Sequence, residues 1–353
     1  MAYTTINKSS LHMNTKLYTG DGATSHALTG VGFQPDLCWI KKRSSPATDH
    51  NLNTSVNLGS GTASQYVLTS NSNEELQDNG STYFQSLDSD GFTIGNSDKV
   101  NANSATFAAW NWKANGAGSA NTDGSINSTV SANTTSGFSI VKYTGTGSNA
   151  TVGHGLGVAP SMIIFKRLVG NGWNWTVYHK SMGNNYFMSL NLSNAQSNTS
   201  SSTYFQDTTP TPSVFYIGDS GHLNGNDIVA YCFADKTGYS KMGSYIGNGN
   251  VDGSFIYTGF KPTFILIKKT TGTANDWYMF DSTRSPSNVI SKFLLANNDA
   301  VEYTASSQDL DILSNGWKIR NSNNGNNTNG ETYTYMAFGQ SLVGTNNIPN
   351  NAR

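Results

Sequence analysis

The sequence predicts an all-β protein made of tandem antiparallel β-sandwich units of jelly-roll or lectin-like type, with three internal repeats. Three observations predict it. First, one set of landmarks occurs three times: Tyr18, Tyr143 and Tyr245 are each followed, at one fixed distance, by a Gly-x-x-Pro turn (Gly32 to Pro35, Gly157 to Pro160, Gly259 to Pro262). Each Pro is followed six positions on by a lysine, Lys41, Lys166 and Lys268. Equal spacing in three copies means that one supersecondary unit was duplicated. Second, aromatic and β-branched residues alternate with polar ones, as in Phe92/Ile94, Phe215/Ile217 and Trp317/Ile319, which is the pattern of half-buried strands. Third, no long 3.6-residue period appears, while turn pairs such as Asn79-Gly80 and Asn329-Gly330 punctuate the chain.

The elements follow in order. Residues 1–16 precede the first landmark and are the candidate attachment segment. The first unit spans 17–116, a polar low-complexity stretch at 117–136 reads as a linker, the second unit spans 137–235, and the third, with a C-terminal tail, spans 236–353. With so short a joint between them, units two and three are expected to pack together, with unit one more loosely tied. Within each unit the run after the Pro, Leu37 to Ile40, Met162 to Phe165 and Phe264 to Ile267, is apolar at every position and suits a central strand covered on both faces. The Pro itself cannot donate to a ladder and is expected in the turn before the strand. The lysine that ends each run is expected to pack its stem and reach solvent with its charge. Each unit closes on an aromatic-rich strand: TFAAWNW, IVAYCF and YTYMAF. Asn73 to Gln77 is the one stretch that could form a turn of helix.

Composition narrows the function. Of 353 residues 12% are charged, with a net charge of −1, so no basic stripe is offered to nucleic acid. No apolar run approaches the length of a membrane span, and the start, MAYTTINKSS, lacks the pattern of a signal peptide. Cys38 and Cys232 sit in apolar strand patterns and read as buried free thiols. The six histidines are scattered, so no metal site and no cofactor is expected. Asp88-Ser89-Asp90-Gly91 resembles the start of a calcium loop but lacks its later ligands, and reads as a turn. Glu74, Glu75, Asp252, Asp276, Glu302 and Asp309 are carboxylates without counterparts in the other units, and no nucleophile elbow is present. Catalytic residues are therefore expected to be none. Trp173, Trp175 and Tyr178, with Trp277 and Tyr278 at the matching place in unit three, are the candidate binding residues, because exposed aromatic faces stack on sugar rings. The alternation of Trp175, Val177 and His179 equally fits a core strand.

Long motifs, among them TGVGFQPDLCWIKKR, DSDGFTIG, YTGTGSNATVGHGLGVAPSMIIFK, AYCFADKTGYSKMGSYIGNG and YMAFGQSLVGTNNIPNNAR, resemble an uncharacterised repeat domain family of structural proteins of marine bacteriophages, from about Leu17 to Arg353. The resemblance implies a virion protein, not an enzyme: a tail fibre, spike or nozzle component with host-receptor or glycan binding. A capsid-decorating or head-fibre protein is the first alternative and a polysaccharide depolymerase the second. Expected partners are copies of itself, with a trimer favoured, other virion proteins and a host surface receptor or glycan. Nucleic acid and membrane insertion are not expected. The expected location is the tail or capsid surface of the virion.

Overall fold

The structure, a computed structural model, describes residues 4–198, 203–341 and 343. The chain is all-β, and its sheets are antiparallel. Unit one joins β1 (Met13–Thr19), β9 (Thr106–Trp112), β3 (Leu37–Lys42) and β4 (Asn51–Thr54), in that order, into its main sheet. A smaller sheet of β2 (His26–Thr29), β8 (Gly91–Ile94) and β7 (Phe84–Asp88) packs on one face, and β5 (Tyr66–Val67) pairs with β6 (Gln77–Asp78) at the side. An α-helical turn, α1 (Asp98–Asn101), leads into β9. Asn73 to Gln77 form no turn of helix, and Gln77 belongs to β6.

Unit two repeats this order with β12 (Phe138–Thr144), β19 (Asp227–Phe233), β14 (Met162–Arg167) and β15 (Thr176–His179), extended by β16 (Tyr186–Ser189) and β17 (Ser197–Asn198). Its small sheet is β13 (Ala150–Gly153) with β18 (Val214–Ile217). Unit three uses β20 (Ser240–Ile246), β28 (Thr332–Ser341), β22 (Phe260–Lys269) and β23 (Trp277–Asp281), extended by β24 (Lys292–Leu295) and β25 (Tyr303–Thr304). Its small sheet is β21 (Phe255–Tyr257), β27 (Gly316–Ile319) and β26 (Leu310–Leu313).

The fully apolar strands are explained by what lies on each side. In β3, Cys38 and Ile40 enter the core of unit one, while Leu37 and Trp39 point the other way. In β14, Ile163 and Phe165 face the core of unit two and Met162 and Ile164 face away; in β22, Ile265 and Ile267 face in and Phe264 and Leu266 face away. The outward residues of all three units meet in one further core, with Trp110 and Trp112, Tyr231 and Phe233, and Met336 and Phe338 from the closing strands. Trp112 packs edge-on against Phe233, Phe264 and Phe338, so side chains of the three units touch at one place. Unit one is thus as much part of the central core as the other two, against the expectation that it would be loosely tied.

Other expectations are also corrected. Residues 117–136 are not a linker: they contain β10 (Ser119–Asn121) and β11 (Ser128–Asn133), and β11 pairs with β12 over its whole length. Ile126 and Val130 are buried in the core of unit two, so the apolar content of this polar stretch, small as it is, goes inward. Residues 4–16 are not a free segment either. Ile6 enters the central core, Ser9 donates from both N and Oγ to Gln340 Oε1, and Met13 to Lys16 belong to β1. Residues 1–3 and 344–353, at the ends of the proposed attachment segment and tail, lie outside the described residues. Pro35 and Pro160 precede their strands, but Pro262 lies inside β22, at a shift of register where a missing N–H is tolerated. Cys38 and Cys232 are free and buried in different unit cores.

Candidate functional site

The landmark residues turn out to be joints. Tyr18, Tyr143 and Tyr245 each donate their hydroxyl to one buried carbonyl: Val100 O at 2.7 Å, Leu223 O at 2.8 Å and Asn326 O at 2.7 Å. The residue after each acceptor is a buried asparagine, Asn101, Asn224 or Asn327. Each asparagine accepts a backbone N–H from the turn after the Tyr strand and donates back to a carbonyl in it. These asparagines were missed in the sequence. They lie 83, 81 and 82 residues after their tyrosines, so no fixed spacing betrays them.

The strand-end lysines do not reach solvent. Lys41, Lys166 and Lys268 are all buried, and each reaches a carbonyl of another unit: Lys41 donates to Asp299 O at 2.9 Å, Lys166 to Asn73 O at 3.4 Å and Lys268 to Ser193 O at 3.0 Å. One ring nitrogen per unit reaches the same neighbour four residues earlier. His50 Nε2 lies 2.9 Å from Leu295 O, Trp175 Nε1 donates to Thr69 O at 2.9 Å and Trp277 Nε1 to Ser189 O at 3.0 Å. Between the two acceptors sits an asparagine, Asn297, Asn71 or Asn191, whose Oδ1 takes the backbone N–H of Trp277, His50 or Trp175 in its own unit. Unit one therefore holds unit three, three holds two and two holds one, by the same bonds. No carboxylate pairs with these lysines among the described hydrogen bonds and ion pairs. Burial draws the lysine pKa down, to about 8 for Lys41 and Lys166 and about 7 for Lys268.

This placement settles where the aromatic candidates lie. Trp175, Tyr178, Trp277 and Tyr278 are buried and offer no face to a sugar. Burial raises the Tyr178 phenol to about 12. Trp173 alone is partly exposed, with the Arg167 guanidinium 4.2 Å above its ring and His222 edge-on at 5.0 Å. The structure adds two stacked pairs at the sides of units two and three, Phe187 with Tyr204 at 4.2 Å and Phe293 with Tyr303 at 5.0 Å.

The carboxylates are largely committed to structure. Asp90 accepts the N–H groups of Gly30 and Gly32, so the calcium-like stretch serves as a turn cap. Glu302 binds Arg43 of unit one at 2.8 Å and Arg284 at 3.1 Å, and Arg284 binds Asp281, which also accepts Trp110 Nε1 of unit one at 3.0 Å. This ion network is a second tie between units one and three. Among the described residues no group of three or more His, Cys, Asp or Glu side chains is placed to hold a metal ion. A polar cleft of about 540 Å³ lies in unit three, lined by Ser306, Asp309, Arg320 and Asn323 among others. Asp309 Oδ1 is itself shielded from solvent and has no hydrogen-bond partner, and desolvation, helped by Asp311, raises the carboxyl pKa.

Fold and site thus define an all-β, antiparallel protein whose units are tied to one another by buried side-chain-to-carbonyl bonds. The sequence matches a domain of unknown function, DUF7483, over residues 8–341, and the chain belongs to that family. No curated protein and no solved structure matches it.

Proposed function

We propose that this protein is a structural component of a bacteriophage virion, a tail fibre, spike or nozzle part that presents host-receptor-binding loops. The observation that carries the reading is the closed arrangement of three sandwiches around one core within a single chain. Such a body leaves polar loops exposed, among them Thr146 to Asn149 and Asn248 to Asn250. The virion assignment itself rests on the resemblance to marine phage structural proteins. Because the inner sheet faces are covered within one chain, self-association is not needed to close them, which weakens the motive for a homotrimer. The polar cleft of unit three supplies a glycan reading: Arg320 and Asn323 on its wall would donate to sugar hydroxyls.

Peptide mapping of purified phage particles, with antibody labelling by electron microscopy, tests the assignment. Recovery of the chain in stoichiometric amounts on the tail supports it, recovery on the head favours the decorating protein, and absence from the particle overturns it. Glycan-array binding that disappears in Arg320→Met would support the cleft as the receptor site.

A further inference from the structure

The three units treat one equivalent surface in three different ways, and the difference points to a docking site on unit three. The surface lies between the first strand of the main sheet (β1, β12, β20) and the first strand of the small sheet (β2, β13, β21). Register identifies equivalent residues. Phe92, Phe215 and Trp317 occupy the same place in β8, β18 and β27, and they pair with Leu28, Val152 and Ile256. The flanking residues are then Ala27 and Thr29 in unit one, Thr151 and Gly153 in unit two, and Phe255 and Tyr257 in unit three. Tyr18, Tyr143 and Tyr245 likewise align Thr19, Thr144 and Ile246.

In unit two the chain covers this surface itself. β11 pairs with the free edge of β12, Ile126 bridges to Val152, and Ser125 exchanges hydrogen bonds with Thr151. The covering chain passes so close to Gly153 that a Cβ there would lie 1.7 Å from Asn121 Oδ1. In unit one the surface is small and polar, with Thr19, Ala27 and Thr29 exposed, and Asn14 Nδ2 bridges across it to Val31 O. In unit three it is apolar and open. Ile246 is 62% exposed, Phe255 46% and Tyr257 52%, and Phe255 and Tyr257 line a groove of about 390 Å³ beside Met242 and Ser244 of β20. Among the described strands β20 pairs only with β28; on its other edge Ser240 pairs with Lys236, Met242 N–H donates to Asp235 Oδ1 and Ile246 O accepts from Ser254 Oγ, so the stretch left open to a partner strand is centred on Ser244. One side chain crosses the groove: Lys241 Nζ donates to Tyr257 O at 2.7 Å and lies 5.3 Å from that ring. A lysine on an edge strand keeps such an edge from indiscriminate pairing.

We propose that the β20 edge of unit three docks an extended strand of a partner protein, antiparallel to β20, with the chemistry that β11 shows in unit two: uncharged, Ser and Thr alternating with Val and Ala. Backbone bonds to β20 would supply the pairing and the Phe255, Tyr257 and Ile246 faces the apolar contact, with Lys241 swinging aside. This inference is independent of whether the chain is part of a virion.

The probe is a labelled peptide copying residues 126–134, INSTVSANT, titrated into the full chain and followed by fluorescence anisotropy. The control is the triple variant Ile246→Thr, Phe255→Ala, Tyr257→Thr, which installs the residues of unit one's own surface. Its unfolding midpoint is measured first; should it fail to fold, Tyr257→Thr alone takes its place. Saturable binding is expected, weakened at least tenfold by the substitutions, with hydrogen exchange slowed in β20 and unchanged in β1. No binding, or binding indifferent to the substitutions, overturns the proposal. So does a dimer of the chain, seen by sedimentation, that excludes the peptide and is lost in the variant, since the occupant would then be a second copy. A gain in peptide affinity on removing residues 344–353 overturns it too, by making the chain's own tail the occupant.

Discussion

Replacing Lys268 by Met removes a buried amine from the joint between units three and two. Lys268 Nζ donates to Ser193 O at 3.0 Å and Lys269 O at 2.9 Å, which favours the ammonium, while burial opposes it. Burial dominates, and the pKa falls from 10.5 to about 7. Below about pH 7 both folded and unfolded chains carry the proton, and the folded chain bears the full cost of the buried charge. Between about 7 and 10.5 the unfolded chain holds the proton and the folded chain does not, so stability rises with pH. At about 1.4 kcal/mol per decade of shift, the wild type should gain roughly 3 kcal/mol from pH 7 to 9.5 through this one group. Lys268→Met lacks that slope. Urea unfolding of both proteins at pH 6, 7.5 and 9.5 reads the difference, in which the other titrating groups cancel. The variant should compare best with wild type at pH 6 and worst at pH 9.5. Parallel profiles would show that the carbonyls keep Lys268 charged throughout, and would refute the reasoning.

Further outcomes are expected. Ile265→Ala, at a fully buried position of β22, should cost about 2–5 kcal/mol by denaturant unfolding. Tyr143→Phe should cost about 1 kcal/mol by leaving Leu223 O without its donor, and Tyr18→Phe and Tyr245→Phe should match it within the error of the same assay. Arg284→Met strands the buried Asp281 carboxylate and should cost about 3–5 kcal/mol, with little change between low and high salt. His179, with its pKa drawn by burial from 6.5 to about 4, should make stability fall as pH drops from 6.5 towards 4, an effect that His179→Gln removes from the acid unfolding curve. Incubation with host polysaccharide should release no reducing sugar; release abolished by substituting one carboxylate would promote the depolymerase reading.

Much of this fold is visible in local sequence, because a strand's side-chain period and a turn's residue chemistry are local properties. The Gly-x-x-Pro turns of units one and two, the alternating Phe92, Phe215 and Trp317 strands and the fully apolar runs are where the pattern puts them, whereas Pro262 is drawn into β22. That a run such as Met162 to Phe165 is covered on both faces could also be read from its composition. What covers the second face could not. A leucine or tryptophan facing a neighbouring unit has the same period as one facing its own, so the central core was invisible. The same holds for the lysines: a charge at a strand end is soluble or buried according to whether another unit's carbonyls stand opposite, and Asp299, Asn73 and Ser193 lie far away in sequence. Residues 117–136 looked like a linker because an added outer strand needs few apolar side chains; only the free edge of β12 makes β11 a strand. The sequence by itself thus determined the repeated unit and its strands, and the tertiary structure decided how the units close on one another, because that closure is made by apolar faces whose period does not name their partner and by backbone carbonyls, which every residue carries and no residue type announces.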